Sequence, residues 1–439
     1  MSEWPDPSSH SAELYARAKR VLPGGVSRLL TYNAPYPFYV RSGAGSRVTD
    51  VDGTVRVDHV NNFASLIHGH AHPEIVAAVT DALGRGTAFA LPTALEVEMA
   101  ELLAERYETF ERVRYCNTGT EAVMLAIKAA RAATGRPKIA KFEGGYHGMY
   151  DYAEVSLDSN PDTWGNDPRS VPYARGTPQG VTEDVVTLPF NHPEAAERIL
   201  RAHAEGLAGI LVDVAPSYFG MIPISAPMVE MLHRVADETG AVLIADEVIS
   251  LRLGYRGGAA RFGLRPQLTT AAKLIGGGFP VACVAGRAEV MEVFSHEGGR
   301  PALPSSGTFT ANPIGLTAGL TAMRLLTEES FERLETLGTL ARSLLTEAFA
   351  AAGVPGQVTG VGSMFSLHMT TRPIVDHRSA YPRPEETAAM RALQGELLRR
   401  GHVIAPKGSG FISTATSEAD LESLAEATSG ALRTLALAA

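Results

Sequence analysis

Apolar and polar positions along this chain follow two different rhythms. Residues 11–22 (SAELYARAKRVL) repeat at the helical period and predict a short amphipathic helix. Residues 46–60 (SRVTDVDGTVRVDHV) alternate instead, with Asp52-Gly53 between two runs, the pattern of a hairpin. From about residue 61 to 325, short apolar runs are followed repeatedly by helical patterns, as in VRYCNTGTEAVMLAIKAARA, GILVDVAP and AVLIADEV. Apolar runs of this length between helices predict a parallel sheet buried on both faces, an α/β arrangement. Residues 325–350 then predict a long helix, GVGSMFSLHM a strand, and residues 385–400 another helix. The last helix opens on Ser417 and Asp420 at capping-box spacing. The expectation is a large domain over 61–324 and a smaller α+β domain assembled from 1–60 and 325–439. One stretch, 157–180 (LDSNPDTWGNDPRSVPYARGTPQG), has no period and is dense in turn-forming residues. It is either a lid or entrance loop or a passive surface insertion.

Composition narrows the classes. The 439 residues exceed one small core. A net charge of -9 argues against a general nucleic-acid binder. The two cysteines, Cys116 and Cys283, make no disulfide framework and suggest a reduced, cytoplasmic setting. The opening MSEWPDPSSH has neither the basic nor the apolar region of a signal peptide. No uncharged apolar run approaches the ~20 residues that cross a bilayer, so no membrane partner is expected.

Three segments carry chemistry. In VRYCNTGTEAVML an apolar strand ends at Cys116, a turn Asn117-Thr118-Gly119-Thr120 follows, and a helix begins at Glu121. Free N–H groups at a helix N-terminus hold anions, a phosphate above all; the plain alternative is an N-cap turn. In AVLIADEV five apolar residues end in Asp246-Glu247. An acid at the end of a buried strand needs a cation: a metal, an arginine or a protonated ring nitrogen. In TTAAKLIGGGFPVA, Lys273 stands before Gly276-Gly277-Gly278 in a chain with only six lysines among its 39 basic residues. A desolvated lysine has a lowered pKa and forms Schiff bases. Phosphate site, buried acid and such a lysine together suggest pyridoxal 5'-phosphate.

With these segments in place, the chain resembles the class III aminotransferases of the fold-type I pyridoxal-phosphate enzymes over nearly its whole length. The matching stretches are PGGVSR, HGHAHPEI, NTGTEAVMLAIKAAR, KFEGGYHG, DEVISLRL, QLTTAAKLIGGGFPVA and SGTFTANP. Within the family it is similar to the branch of glutamate-1-semialdehyde aminomutases and β-amino-acid aminotransferases. The resemblance implies a mostly parallel sheet sandwiched by helices. It also implies roles: Lys273 as the cofactor-bearing lysine and proton shuttle, and Asp246 on the pyridine nitrogen. Val248 and Tyr146 would lie on the ring faces, with His147 beside the cofactor and Thr118, Gly119 and Thr120 on the phosphate. Thr308 would reach the phosphate of a neighbouring subunit, which makes a homodimer with shared active sites.

The chain departs from the family where relatives carry Glu-Pro and this one has Asp213-Val214. APSYFG lacks an amide side chain toward the ring hydroxyl; either Tyr218 replaces that contact or it is absent. PGGVSRLLTYNAPYPF is nearer the β-amino-acid aminotransferases, in which an arginine at the position of Arg28 binds the substrate carboxylate; the alternative for Arg28 is a surface ion pair. Lys407, in APKGSGFIS, is a second candidate for that carboxylate. Tyr32, Tyr36 and Phe38 would line an aryl pocket, or equally belong to the small-domain core. The expected reaction is ping-pong transamination through a lysine aldimine, from a β-amino acid or related amine to a keto acid; an aminomutase-like isomerase is the alternative. His68, His70 and His72 raise a metal hydrolase, but without the carboxylate spacing of zinc motifs. The triple glycine lacks the GxGxxG of a dinucleotide loop. No metal is expected.

Overall fold

Seven short strands between Arg112 and Gly286 pair into one sheet in the computed structural model, which describes residues 4–438. Across the sheet the order is Arg112–Cys116, Ala282–Gly286, Leu268–Ala271, Val242–Asp246, Leu207–Val212, Lys138–Phe142 and Val185–Leu188. Ala282–Gly286 is antiparallel to both neighbours, and the other six strands run one way. The architecture is the expected α/β one, with one reversed strand that an apolar run of five residues cannot announce. Every residue of Leu207–Val212 and Val242–Asp246 is buried, so both strands read as unbroken apolar text rather than alternation.

Helix Gly119–Thr134 packs against this sheet. The Thr118 side chain caps its start, and Gly135, at φ 70°, ends it by donating its N–H to the Arg131 carbonyl. Its buried face is made largely of alanines. That lets it lie close to the sheet: a Cβ placed on Gly209 would stand 3.2 Å from the Ala130 Cβ.

By packing, the chain forms two units. One holds Glu74–Phe331 with Pro373–Tyr381; the other holds the remaining described residues, 4–73, 332–372 and 382–438. In the second unit Val40–Ala44, Arg47–Asp50 and Val55–Asp58 form an antiparallel ladder, and His402–Val403 adds in parallel to Val55–Asp58. The Asp52-Gly53 turn closes the hairpin, with Asp50 Oδ1 accepting the N–H groups of Asp52 and Thr54. A second sheet holds Gln357–Thr359, Met364–His368 and Ser409–Phe411. The final helix, Glu418–Ala438, opens on the reciprocal pair Asp420 N–H to Ser417 Oγ and Ser417 N–H to Asp420 Oδ2. Tyr36 is buried against Trp4 and Leu398, with Phe38 packed on the same cluster. These two aromatics are therefore core of this unit rather than pocket lining. Tyr32 lies at the surface against Tyr15. His68 pairs with Thr414 and His70 with Asp58.

The same unit contains a costly backbone feature. Asn61, Asn62, Phe63 and Ala64 all take left-handed φ values, 48°, 48°, 55° and 73°. For L residues that conformation costs roughly 1–2 kcal/mol each, and only asparagine visits it readily. Asp58 Oδ1 offsets part of the cost by accepting the N–H groups of Val60 and Asn61.

Residues 157–178 form no helix or strand. This stretch is tied down by Arg198, whose guanidinium donates to both Asp167 oxygens. Among the described residues, no helix is long and apolar enough to cross a membrane.

Candidate active site

In a parallel sheet the carboxyl ends of all strands open on one side, and ligands bind there. Asn117 follows Arg112–Cys116, Asp213 follows Leu207–Val212, Asp246 ends Val242–Asp246, and Lys273 stands two residues beyond Leu268–Ala271. All four line one cavity of about 230 Å³. Val281, just before the reversed strand, closes part of its wall.

Asp246 is buried at the cavity floor. It meets His147 Nδ1 at 2.7 Å through Oδ2, and the Thr270 hydroxyl and Val248 N–H, each at 3.1 Å, through Oδ1. Burial alone would raise its pKa, but the His147 hydrogen bond, the Val248 N–H and the charge of Lys273 outweigh it and hold the carboxyl below its usual range. Burial pushes His147 the opposite way, down, so the imidazole is the neutral partner. The floor therefore presents a fixed negative charge.

Lys273 takes φ 50°, a strained value for a side-chain-bearing residue and one that clusters at functional sites. Burial pushes its ammonium down to about 8, against the opposing charges of Asp246 and Asp213. Among the described residues its Nζ forms no hydrogen bond or ion pair. Asp213 is pushed up to about 8, by burial first and then by Asp246. Near neutral pH it is a carboxylic acid beside an amine that is partly free of its proton.

The glycines after Lys273 answer to packing. Gly277 is left-handed, φ 56°, and a Cβ there would lie 2.4 Å from the Ala318 carbonyl oxygen. A Cβ on Gly319 would lie 2.2 Å from the Ile275 carbonyl oxygen. Helix Pro313–Leu325 is thus pressed directly onto the backbone of the lysine turn, which fixes where the amine starts.

The opposite wall is the start of helix Gly119–Thr134. Thr118 Oγ1 accepts the Glu121 N–H and Thr120 Oγ1 accepts the Met149 N–H. Among the described residues, the N–H groups of Gly119 and Thr120 meet no acceptor. They are the orphan donors of a helix start and suit an anion. A Cβ on Gly119 would stand 3.1 Å from both Val248 methyl groups, so the wall is already at van der Waals limit there.

The turn carrying Tyr146 and His147 is held from behind. Lys141, fully buried, donates to the carbonyls of Gly145 at 3.0 Å and Val155 at 2.6 Å. Glu143 accepts from Ser159 and from Arg378 of the Pro373–Tyr381 segment. His377 sits so close to Gly144 that a Cβ there would meet its ring at 2.1 Å. Tyr146 stacks on Tyr218, with centroids 5.7 Å apart and planes at 16°.

Eight of the expected site residues meet on this cavity: Thr118, Gly119, Thr120, Tyr146, His147, Asp246, Val248 and Lys273. Thr308 does not line it; it is exposed in the turn Gly307–Thr310, next to a glycine whose Cβ would fall 3.6 Å from the Asn117 amide. Arg28 and Lys407 lie in the other unit. Arg28 Nη1 donates to Asn62 Oδ1 at 2.8 Å rather than to a carboxylate, so the ion-pair alternative does not describe it. Sequence reasoning did not single out Phe279, Pro280 and Val281 as lining; their place directly after the triple glycine was the available signal.

Pyridoxal phosphate presents an anionic phosphate, a basic ring nitrogen and an aldehyde. The cavity offers unpaired N–H donors, an ionised carboxylate and a low-pKa amine, so its residues fit the group. A model of the family described as aminotransferase class-III matches residues 31–416. The glutamate-1-semialdehyde 2,1-aminomutase of Methanothermobacter thermautotrophicus is 37% identical, over 95% of this chain and 97% of that protein. An omega-transaminase from Sphaerobacter thermophilus superposes with a TM-score of 0.96 at 47% identity, covering 99% of each chain. A β-phenylalanine aminotransferase from Variovorax paradoxus gives a TM-score of 0.85 at 29% identity, covering 98% of this chain and 94% of that one.

Proposed function

The chain belongs to the class III aminotransferases, and from that footing we propose that it moves an amino group from a β-amino acid or related amine to a keto acid in two half-reactions. Enzymes of this family use pyridoxal phosphate, which supplies an electrophilic aldehyde and an electron-withdrawing ring when bound. The observation that carries the proposal is the convergence of Lys273, ionised Asp246 and the acceptor-free N-terminus of Gly119–Thr134 on one cavity.

Each residue then has one task. Gly119 and Thr120 would hold the phosphate on their N–H groups, with Thr118 beside them. Asp246, kept ionised by His147, would hold a proton on the ring nitrogen. Lys273, with its pKa near 8, takes a proton from the donor carbon and returns it nearby, since a pKa close to working pH serves both directions. Val248 and Tyr146, which line the cavity, would lie against its ring. Arg28 takes the donor carboxylate as a guanidinium fork, with Lys407 as a weaker second contact. Thr308 serves the phosphate of a second copy in a homodimer.

The similarity to an omega-transaminase at 47% identity supports a transaminase, and the β-phenylalanine aminotransferase supports the donor class. The aminomutase relative supports a second reading, isomerisation of an amino aldehyde. One experiment separates them. The cofactor-loaded protein is titrated with 3-amino-3-phenylpropanoate without acceptor, and its visible absorption is followed. Loss of the yellow band, restored by pyruvate or 2-oxoglutarate, is expected. A band unmoved by β-amino acids and amines but shifted by glutamate-1-semialdehyde would refute the donor class in favour of the isomerase.

A further inference from the structure

The left-handed run Asn61–Ala64 has no role in the chemistry above, and it is expensive. Phe63 and Ala64 have no intrinsic preference for it. Strain of this kind persists only where the surroundings over-determine it, and it collects at functional positions. Six hydrogen bonds hold the run in place, the Ser65 N–H on the Asn61 carbonyl among them. Asp58 Oδ1 accepts from Val60 at 2.8 Å and Asn61 at 3.2 Å. Asn61 Nδ2 donates to the Phe411 carbonyl at 2.7 Å. The N–H groups of Ala64 and Leu66 donate to the carbonyls of Val60 and Asn61. Asp58 is itself fixed by His70 at 2.8 Å.

What the run presents is one oriented amide. Asn62 Nδ2 donates to Ser65 Oγ at 2.9 Å, and Ser65 Oγ donates to the Asn62 carbonyl at 3.0 Å. That fixes which way the side chain points. Its Oδ1 then accepts Arg28 Nη1 at 2.8 Å, while the Phe63 ring lies 5.9 Å from the guanidinium carbon. Among the described residues no carboxylate pairs with Arg28, so its charge is not consumed internally. A neutral acceptor aims a guanidinium without competing for its charge, and leaves the other N–H groups for an incoming anion.

We infer that the left-handed turn Asn61–Ala64 is a holder for the Arg28 guanidinium, with Asn62 a specificity-determining positioning residue for donors that carry a carboxylate. This rests on the proposed reading of Arg28 as the carboxylate-binding group. The turn fixes Arg28 in advance, so less side-chain freedom is lost when the donor binds.

Glycine tests this cleanly, because it adopts positive φ without strain. Asn62→Gly keeps the backbone turn and removes only the amide. Wild type, Asn62→Gly and Arg28→Met, all cofactor-loaded, are compared with 3-amino-3-phenylpropanoate and with 1-phenylethylamine, which lacks the carboxylate. The reading is the ratio of half-saturating concentrations in the spectral titration, with kcat and melting temperature alongside. For Asn62→Gly the ratio is expected to shift about tenfold against the carboxylate donor, the scale of one hydrogen bond to a charged group. Its melting temperature is expected to be no lower than wild type, and its kcat with the carboxylate donor is preserved. If Arg28→Met shifts the ratio and Asn62→Gly does not, the holder is overturned while Arg28 keeps its role. If neither shifts it, the carboxylate reading falls and the holder with it. A lowered kcat with an unmoved ratio would make Asn62 merely structural and would equally overturn the inference.

Discussion

Asp213 is the residue whose replacement tests the electrostatics of the cavity most directly. Its carboxyl is buried, accepts the Ala215 N–H at 3.0 Å, and is pushed up to about 8 from an ordinary value near 3.8. A carboxyl raised in this way is protonated in both states at low pH and contributes nothing there. As pH rises above 4 the unfolded chain loses the proton while the folded chain keeps it, so folding becomes progressively less favourable until the pH passes 8. With about 1.36 kcal/mol per pKa unit, the handicap is about 3 kcal/mol at pH 6 and about 5 kcal/mol at pH 8. Asp213→Asn has the same shape and can still accept from Ala215, so it removes the handicap. The assay is urea unfolding of the cofactor-free protein at pH 5, 6, 7 and 8. The variant should gain on wild type at every step upward, and should turn over more slowly because the acid beside Lys273 is gone. A difference that stays flat with pH, or a variant less stable than wild type at pH 8, would refute the assignment of Asp213 as a neutral buried acid.

Other outcomes follow from the same geometry. Lys273→Ala should abolish turnover and the visible band of the loaded enzyme, with circular dichroism unchanged; residual transamination would exclude it as the proton carrier. Gly277→Ala should destabilise by about 2–4 kcal/mol, combining a left-handed alanine with an overpacked contact on the Ala318 carbonyl, read as a lowered urea midpoint. Trypsin should cut first after Arg175, exposed in the irregular stretch 157–178, and donor should slow that cut if the stretch closes over the site; an intact Arg175 when other sites are cleaved would contradict the first half. Thr308→Ala should weaken cofactor binding only if two copies share the site, so full activity in a sedimenting monomer would remove its role.

Much of the site could be read from the sequence because its chemistry sits at strand ends, and strand ends are visible where apolar text stops. Asp246 closes a buried run, Asn117 follows another, and Lys273 stands before glycines. What could not be read depends on packing over long distances. Ala282–Gly286 runs against its neighbours, yet its composition is that of a parallel strand. The segment Pro373–Tyr381 carries no sequence pattern that ties it to the large sheet, and its partners, Glu143 and Ser159, reveal it as a brace behind Tyr146 and His147. In the sequence Tyr36 and Phe38 fit pocket or core equally, because an aromatic near an arginine looks the same in either place; Trp4 and Leu398 decide it. The left-handed turn hides for a different reason. Two asparagines hint at positive φ, but nothing in Phe63 or Ala64 does, since tertiary hydrogen bonds impose their conformation.

The parallel pairing of Val57 with His402 has a consequence for synthesis. About 345 residues are made between the two partners, which at about 5–20 residues per second is a wait of roughly 17–70 s on the ribosome. The seven strands of the large sheet all emerge by Gly286, well before that wait ends. Until then the Val55–Asp58 ribbon carries an open backbone edge, the kind of surface that recruits other chains. Val55–Asp58 is thus made early and paired late, and one short edge needs shelter during that interval.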